Sequence, residues 1–337
     1  MTDPSKLRWG ILGAARVNER LLPAIVEASN SRLVAIASRR PGAAAETLAK
    51  YAPGRDGVKT YDRLETLLDD DEVEAVYLPL ANREHAEWAL QAIARGKHVL
   101  IEKPMALTVA DIDAIEEAAR RQGVTVMEGF MYRFHPQHAR VRELIRSGLI
   151  GEVRLVRASY SFLMRPARMY RLADPIAGGG GAMWDIGCYA IHSGRMWLEQ
   201  PPLAVTAMAS LTEHGADTTT SGIVDYGEGR RLHFDFSFQC GRRSEYVING
   251  TKGWVKCHTV WQLPGDVPVI SWATDDGCGA EERLPVANHF RLEIEHFSEC
   301  VRSGKPPLLS FEDARANCRL ITAALQSARE GQVVRLD

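Results

Sequence analysis

Apolar and polar positions fall into two regimes along this chain. In the first, short apolar runs of strand length alternate with longer stretches whose apolar positions recur every three or four residues. Residues 7–12 read as a strand entering a turn at Gly13, 17–28 as a helix kinked at Pro23, and 32–37 as a second strand. A helix runs from Pro41 towards Lys50, followed by a strand over 73–80 and a helix over 83–94 that Gly96 stops. Residues 98–101 form a strand leading into Glu102-Lys103-Pro104. Thr108 and Asp111 then open a helix reaching Gln122, and 124–127 is the next strand. Strands alternating with helices predict a parallel sheet covered on both faces.

From Gly151 the period shortens to two. Residues 153–161, 232–239, 246–249 and 254–257 alternate as strands with one buried face, and turn-rich segments rather than helices join them. A mostly antiparallel sheet follows. Residues 165–177 and 263–285 read as loops, and 290–303 and 311–330 as helices. The expected fold class is α/β: an N-terminal Rossmann (doubly wound parallel sheet) domain over 1–124, then an α+β domain over 125–337 with a mostly antiparallel sheet.

Length supports this division, because single cores stop growing at roughly 250–300 residues and the chain has 337. A formal net charge of -2 gives no electrostatic footprint for nucleic acid or an acidic membrane surface. Six scattered cysteines, with no C-x-x-C pair, fit a reducing compartment and argue against a structural metal. Asp3, Lys6 and Arg8 precede any apolar run, unlike a secretory leader, and no stretch approaches the roughly 18 apolar residues of a membrane span. A cytoplasmic location is expected.

Three stretches carry chemistry. Gly13-Ala14-Ala15-Arg16-Val17-Asn18 lies between strand one and helix one, where a dinucleotide fingerprint belongs, although Ala15 and Asn18 stand in for its later glycines. At the end of strand two, NAD-binding chains place Asp or Glu for the ribose hydroxyls. This chain has Ser38-Arg39-Arg40, whose guanidinium groups suit the 2′-phosphate of NADP; two solvated arginines is the plainer reading. Finally, Gly178-Gly179-Gly180-Gly181 precedes a predicted helix on which Asp185, Tyr189 and His192 share one face at spacings of four and three. Gathered site groups or a solvated polar stripe both satisfy that spacing.

The Glu102-Lys103-Pro104 triplet, followed by Gly179-Gly180-Gly181-x-x-x-Asp185-x-Gly187-x-Tyr189, resembles the glucose–fructose oxidoreductase/inositol dehydrogenase (Gfo/Idh/MocA) family. The resemblance covers essentially the whole chain and lies closest to the branch holding NADP-dependent xylose dehydrogenase and dihydrodiol dehydrogenase, where Tyr stands at the position of Tyr189. It implies hydride transfer between a nicotinamide cofactor, NADP favoured with NAD left open, and an alcohol or ketone carbon of a sugar or cyclic polyol. Alternatives on the same fold are a sugar-nucleotide ketoreductase and a catalytically silent regulator. The cofactor is then expected along Gly13, Ala14, Ala15, Arg16, Val17, Ser38, Arg39, Arg40, Leu80, Asn82, His85, Glu102 and Lys103. Substrate is expected against Lys103, Arg168, Asp185, Tyr189 and His192. Hydride loss from an alcohol needs the hydroxyl proton removed, so Lys103 is read as the cation, Tyr189 as the acid–base group and Asp185 as an orienter. Weaker candidates are Arg165, the pair His135 and His138, the pair His296 and Cys300, and Asn288 with His289; no metal is expected. By analogy the 311–330 helix packs on the first domain, and the open sheet pairs copies into a homodimer or homotetramer.

Overall fold

The computed structural model describes residues 5–261 and 265–336; Asp3 and Leu263 lie outside them. The chain divides into two compact units, Met1–Phe134 with Asn288–Arg315, and His135–Ala287 with Ala316–Asp337.

The first unit alternates strand and helix: β1 (Leu7–Leu12), α1 (Asn18–Glu27), β2 (Ser31–Ala37), α2 (Ala43–Tyr51), β3 (Lys59–Tyr61), α3 (Leu64–Leu68), β4 (Ala75–Leu78), α4 (His85–Ala94), β5 (His98–Glu102), α5 (Val109–Gln122) and β6 (Val126–Gly129). The strands form one sheet in the order β3-β2-β1-β4-β5-β6, every pair parallel. Continuous apolar strands follow from burial on both faces; Ile11, Ile36, Val76, Leu100 and Met127 are all buried. The helix ends are written locally. The Thr108 side chain accepts from the Asp111 N–H at the start of α5, and Gly123 closes it at φ 67°.

The second unit continues with α6 (Pro136–Arg146), β7 (Val153–Ser161), α7 (Cys188–Leu198), β8 (Ala204–Leu211), β9 (Asp217–Asp225), β10 (Arg231–Ser237), β11 (Arg243–Gly250), β12 (Gly253–Cys257), β13 (Val269–Thr274) and β14 (Gly279–Arg283). The chain then forms α8 (His289–Ser303), α9 (Phe311–Glu330) and β15 (Val334–Arg335). Nine strands make the second sheet, in the order β14-β13-β12-β11-β7-β10-β9-β8-β15. All its pairs are antiparallel except β7 with β10. Helix α7 lies against β7 and β10. Its close approach depends on bare backbone: a Cβ on Gly194 would come within 2.4 Å of the Leu232 side chain in β10.

Two expectations need correction, and the place of the last helix can be given more closely. The first unit does not end at 124, because β6 is the last strand of its sheet and the contact boundary falls after Phe134. Helix α8 lies wholly in that unit, with the Phe297 ring 5.3 Å from Trp9; α9 belongs to it as far as Arg315, which donates to Asp113 at 3.1 Å and to Glu116 at 2.5 Å in α5. The 263–285 segment is not all loop, since β13 and β14 pair within it from Val269↔Arg283 to Ala273↔Gly279.

Candidate functional site

Ligands of doubly wound sheets bind beyond the carboxyl ends of the strands, near the point where strand order reverses. In the first unit that point lies between β1 and β4. Gly13 follows β1 with φ 140°, and a Cβ there would come within 3.1 Å of the Leu80 side chain. The turn therefore keeps its backbone bare, as a pyrophosphate requires. Asn18 does work that the fingerprint's glycine does not: its Nδ2 donates to the Gly13 carbonyl at 2.8 Å and pins the turn. Its Oδ1 is buried without a hydrogen-bond partner among the described residues. The bare turn, pinned by Asn18, fits the pyrophosphate of a dinucleotide.

Ser38 is buried, and its hydroxyl accepts the Arg40 N–H at 3.1 Å. That bond folds the chain back after β2 and leaves Arg39 and Arg40 exposed. Arg39 Nη1 donates to Glu84 Oε1 at 2.5 Å. Ala14, Ala15 and Val17 are half-buried along the turn and Arg16 is exposed; Leu80 and Asn82 are half-buried beyond β4.

His85 sits deeper than a ligand contact would. It has no exposed surface, and its ring lies between the Pro104 carbonyl at 2.7 Å and the Leu80 carbonyl at 3.1 Å. Burial lowers its pKa, and a neutral ring can donate to only one of the two. Its position braces the turn around the cis Lys103-Pro104 peptide. Two more bonds clamp that turn: the Tyr77 hydroxyl donates to Glu102, and the Met105 N–H donates to Glu128 Oε1 at 2.7 Å. Lys103 thus stands half-buried on a segment held from three sides.

In the second unit the glycine run is sterically required. A Cβ on Gly180 would overlap the Asp174 carbonyl oxygen, and one on Gly181 would overlap the Asp217 carboxylate. The residues after it do not begin as the α-helix expected: Met183–Gly187 form a π turn, and α7 starts at Cys188. Such wide turns recur at functional sites, and this one turns Asp185 away from a simple α-helical register with Tyr189. The Asp185 carboxylate accepts from Arg171 Nη1, and its charge, with that bond, raises the Arg171 pKa against the effect of burial.

Tyr189 is 6 % exposed and stands edge-on to Tyr160, with ring centroids 5.8 Å apart, while Tyr160 stacks on Trp261 at 4.9 Å. This aromatic wall fixes the phenol's direction. His192, 1 % exposed, lies within the same unit's interior. Arg168 places its guanidinium 5.3 Å from the Phe162 ring, and Arg165 is exposed.

Asp217 and Arg171 were not found in the sequence. Asp217 accepts the Met183 N–H at 2.9 Å and the Thr220 hydroxyl at 2.8 Å, holding the π turn from β9. Only local patterning could have flagged these two, and their partners are distant.

The weaker candidates take structural positions. His135 caps α6 by accepting the Gln137 N–H at 3.1 Å, and burial pushes its pKa down to about 4. His138 Nδ1 meets the Tyr246 hydroxyl at 2.8 Å. His296 Nε2 accepts the Leu308 N–H at 2.9 Å, with Cys300 Sγ at 3.4 Å. Asn288 caps α8 by accepting the Arg291 N–H at 3.3 Å, and His289 is buried.

Comparison with known proteins matches residues 7–130 to the oxidoreductase family with an NAD-binding Rossmann fold, and residues 138–256 to the GFO/IDH/MocA C-terminal domain. A D-xylose 1-dehydrogenase (NADP(+)) from Haloferax volcanii is 34% identical over 333 residues, covering 98% of this chain and 100% of that protein. A 3-ketoreductase from Actinomadura kijaniata, solved with NADP and TDP-benzene, superposes with a TM-score of 0.88 at 29% identity, covering 96% of this chain and 98% of that one. An aldose-aldose oxidoreductase from Caulobacter crescentus, solved with glycerol, gives a TM-score of 0.88 at 28% identity, covering 98% of this chain and 100% of that one.

Proposed function

The chain belongs to the Gfo/Idh/MocA oxidoreductase family, and from that premise we propose the reaction and the parts its residues play. It is an NADP-dependent oxidoreductase that exchanges a hydride with the CH–OH or ketone carbon of a sugar or related polyol. The observation that carries this reading is Lys103: a half-buried cation at the carboxyl end of β5, on a turn clamped by His85, Tyr77 and Glu128.

The nicotinamide, when bound, takes up or releases the hydride. Gly13 and Asn18 hold the pyrophosphate turn, and Ser38, Arg39 and Arg40 face the 2′-phosphate end. Lys103 supplies the charge that stabilises the alkoxide as the hydride leaves. Tyr189 exchanges the hydroxyl proton; a phenol with an ordinary pKa of about 10 needs a nearby cation for this at neutral pH. Asp185, bonded to Arg171, orients the π turn that leads to Tyr189. Sugar-nucleotide reduction is the second reading, favoured by the likeness to the 3-ketoreductase solved with TDP-benzene. A silent regulator is disfavoured because Lys103, Asp185 and Tyr189 are all present.

A cytoplasmic location belongs to the same proposal, supported by six free cysteines. No helix among the described residues is long and apolar enough to cross a membrane. The test is a panel of pentoses, hexoses, inositols, dihydrodiols and nucleotide-linked ketosugars, followed by absorbance of reduced cofactor. Turnover of a free sugar or polyol supports the main reading, and turnover of the nucleotide-linked ketosugars alone supports the second. Cofactor binding without turnover of any of them would favour the regulator.

A further inference from the structure

The carboxylate that NAD-binding folds place at the end of the second strand is missing here, and a carboxylate from another loop pairs with the arginine that follows that strand. Glu84 lies in the single turn of 3-10 helix, Asn82–Glu84, that follows β4. Its Oε1 accepts from Arg39 Nη1 at 2.5 Å, while its Oε2 accepts the Ala81 N–H at 3.2 Å. Strands β2 and β4 flank β1 in the sheet, so this ion pair joins the loops on either side of the strand that ends at Gly13. The Glu84 side chain is 18% exposed and Arg39 is 56% exposed. Glu84 is the anchored partner, fixed by its own loop, and Arg39 is the movable one.

We propose that Glu84 is a specificity-determining residue for the cofactor: its carboxylate competes with the 2′-phosphate for Arg39 and thereby restrains the preference for NADP over NAD. This rests on the reading that Arg39 faces the 2′-phosphate. Two effects oppose each other. By holding Arg39, Glu84 pre-orders one long side chain, which spares the bound state part of that ordering cost. Against that, a fixed carboxylate meets an incoming dianion and must share the same guanidinium with it. Like-charge repulsion doubles with a doubly charged phosphate, whereas the pre-ordering gain is partly forfeited because Nη1 already points at Glu84. Repulsion wins. A cofactor ending in a neutral 2′-hydroxyl meets no such penalty, so Glu84 acts on one cofactor and spares the other.

The test is titration of NADPH and NADH by fluorescence against the unmodified protein, Glu84→Gln, Arg39→Gln and the double variant. Glutamine keeps an oxygen for the Ala81 N–H and removes the charge. Glu84→Gln is expected to tighten NADPH by roughly two- to fivefold, the range for an exposed charge pair, and to leave NADH within about twofold. In the Arg39→Gln background the same change should tighten NADPH less, because the contested guanidinium is gone. Unchanged or weaker NADPH binding in Glu84→Gln would overturn the proposal. If Arg39→Gln itself left NADPH binding unchanged, the reading of Arg39 would fail instead, so the two failures are separable. A loss of both cofactors together with a lowered Tm in Glu84→Gln would show Glu84 to be a loop support, and would also overturn it.

Discussion

Asp217 has no exposed surface, and burial pushes its carboxyl pKa up to about 6 despite the bonds from Thr220 and the Met183 N–H. The folded chain therefore holds this proton more tightly than the unfolded chain, where an aspartate titrates near 3.9. The stabilisation from that proton is fully present below about pH 4 and is lost as pH rises through about 6. Asp217→Asn cannot ionise, so its stability relative to the unmodified protein should improve between pH 4.5 and 7.5, by about 2 kcal/mol. Urea melts at the two pH values measure this, and a stability gap that does not change with pH would contradict it. The contrast with Lys103 and Tyr189 explains what could be read at this scale. Those two sit inside contiguous motifs. Arg171, Asp217 and Glu84 act on partners 14, 34 and 45 residues away; Glu84 lies between the candidates Asn82 and His85, yet local spacing says nothing of its bond to Arg39. His85 was visible as a motif residue, yet its burial between two carbonyls is a fact of three-dimensional packing.

Among elements, the glycine run and the π turn after it show how steric demand is graded. A Cβ on Gly187 would meet the buried Phe236 ring at 2.5 Å, whereas one on Gly178 would meet nothing closer than the Asp174 Cβ at an ordinary 3.5 Å. Gly187→Ala should cost about 1–3 kcal/mol through overpacking, and Gly178→Ala should stay within about 0.5 kcal/mol. Thermal unfolding of the pair checks this; equal losses would mean that the helix shifts freely over the sheet. The long periodic elements were legible because burial writes their pattern into the sequence. Strand β3, three residues with no buried position, carries no such pattern. Nor does β14, whose five residues are mostly exposed. The π turn was invisible for a different reason: four of its five residues, Met183, Trp184, Ile186 and Gly187, are buried, so no alternation of apolar and polar positions marks the extra residue.

For the whole molecule, composition and alternation were enough to foresee a parallel sheet and a mostly antiparallel one. They did not reveal that the first unit closes with α8, because hydrophobic period says which face is buried and not against what. The outer positions of the second sheet include Met208 at 79% exposure, Ile223 at 39% and Trp254 at 37%. We propose that this partly apolar face pairs two copies about a twofold axis. Light scattering at micromolar concentration should return at least twice the 37.3 kDa chain mass, and Met208→Glu with Ile223→Glu should return a monomer. A monomer in the unmodified protein would contradict the pairing.

The central claim is that Lys103 and Tyr189 act on the reacting oxygen while other residues hold the cofactor. It is tested most directly by the single-turnover rate of cofactor reduction with a substrate found in the panel, measured beside NADP affinity. Tyr189→Phe keeps the ring against Tyr160 and removes the proton; Lys103→Met keeps the length and removes the charge. Each should slow the chemical step by roughly 10²-fold or more, with NADP affinity in Tyr189→Phe changed less than about threefold. Full single-turnover rates in both variants would contradict the account.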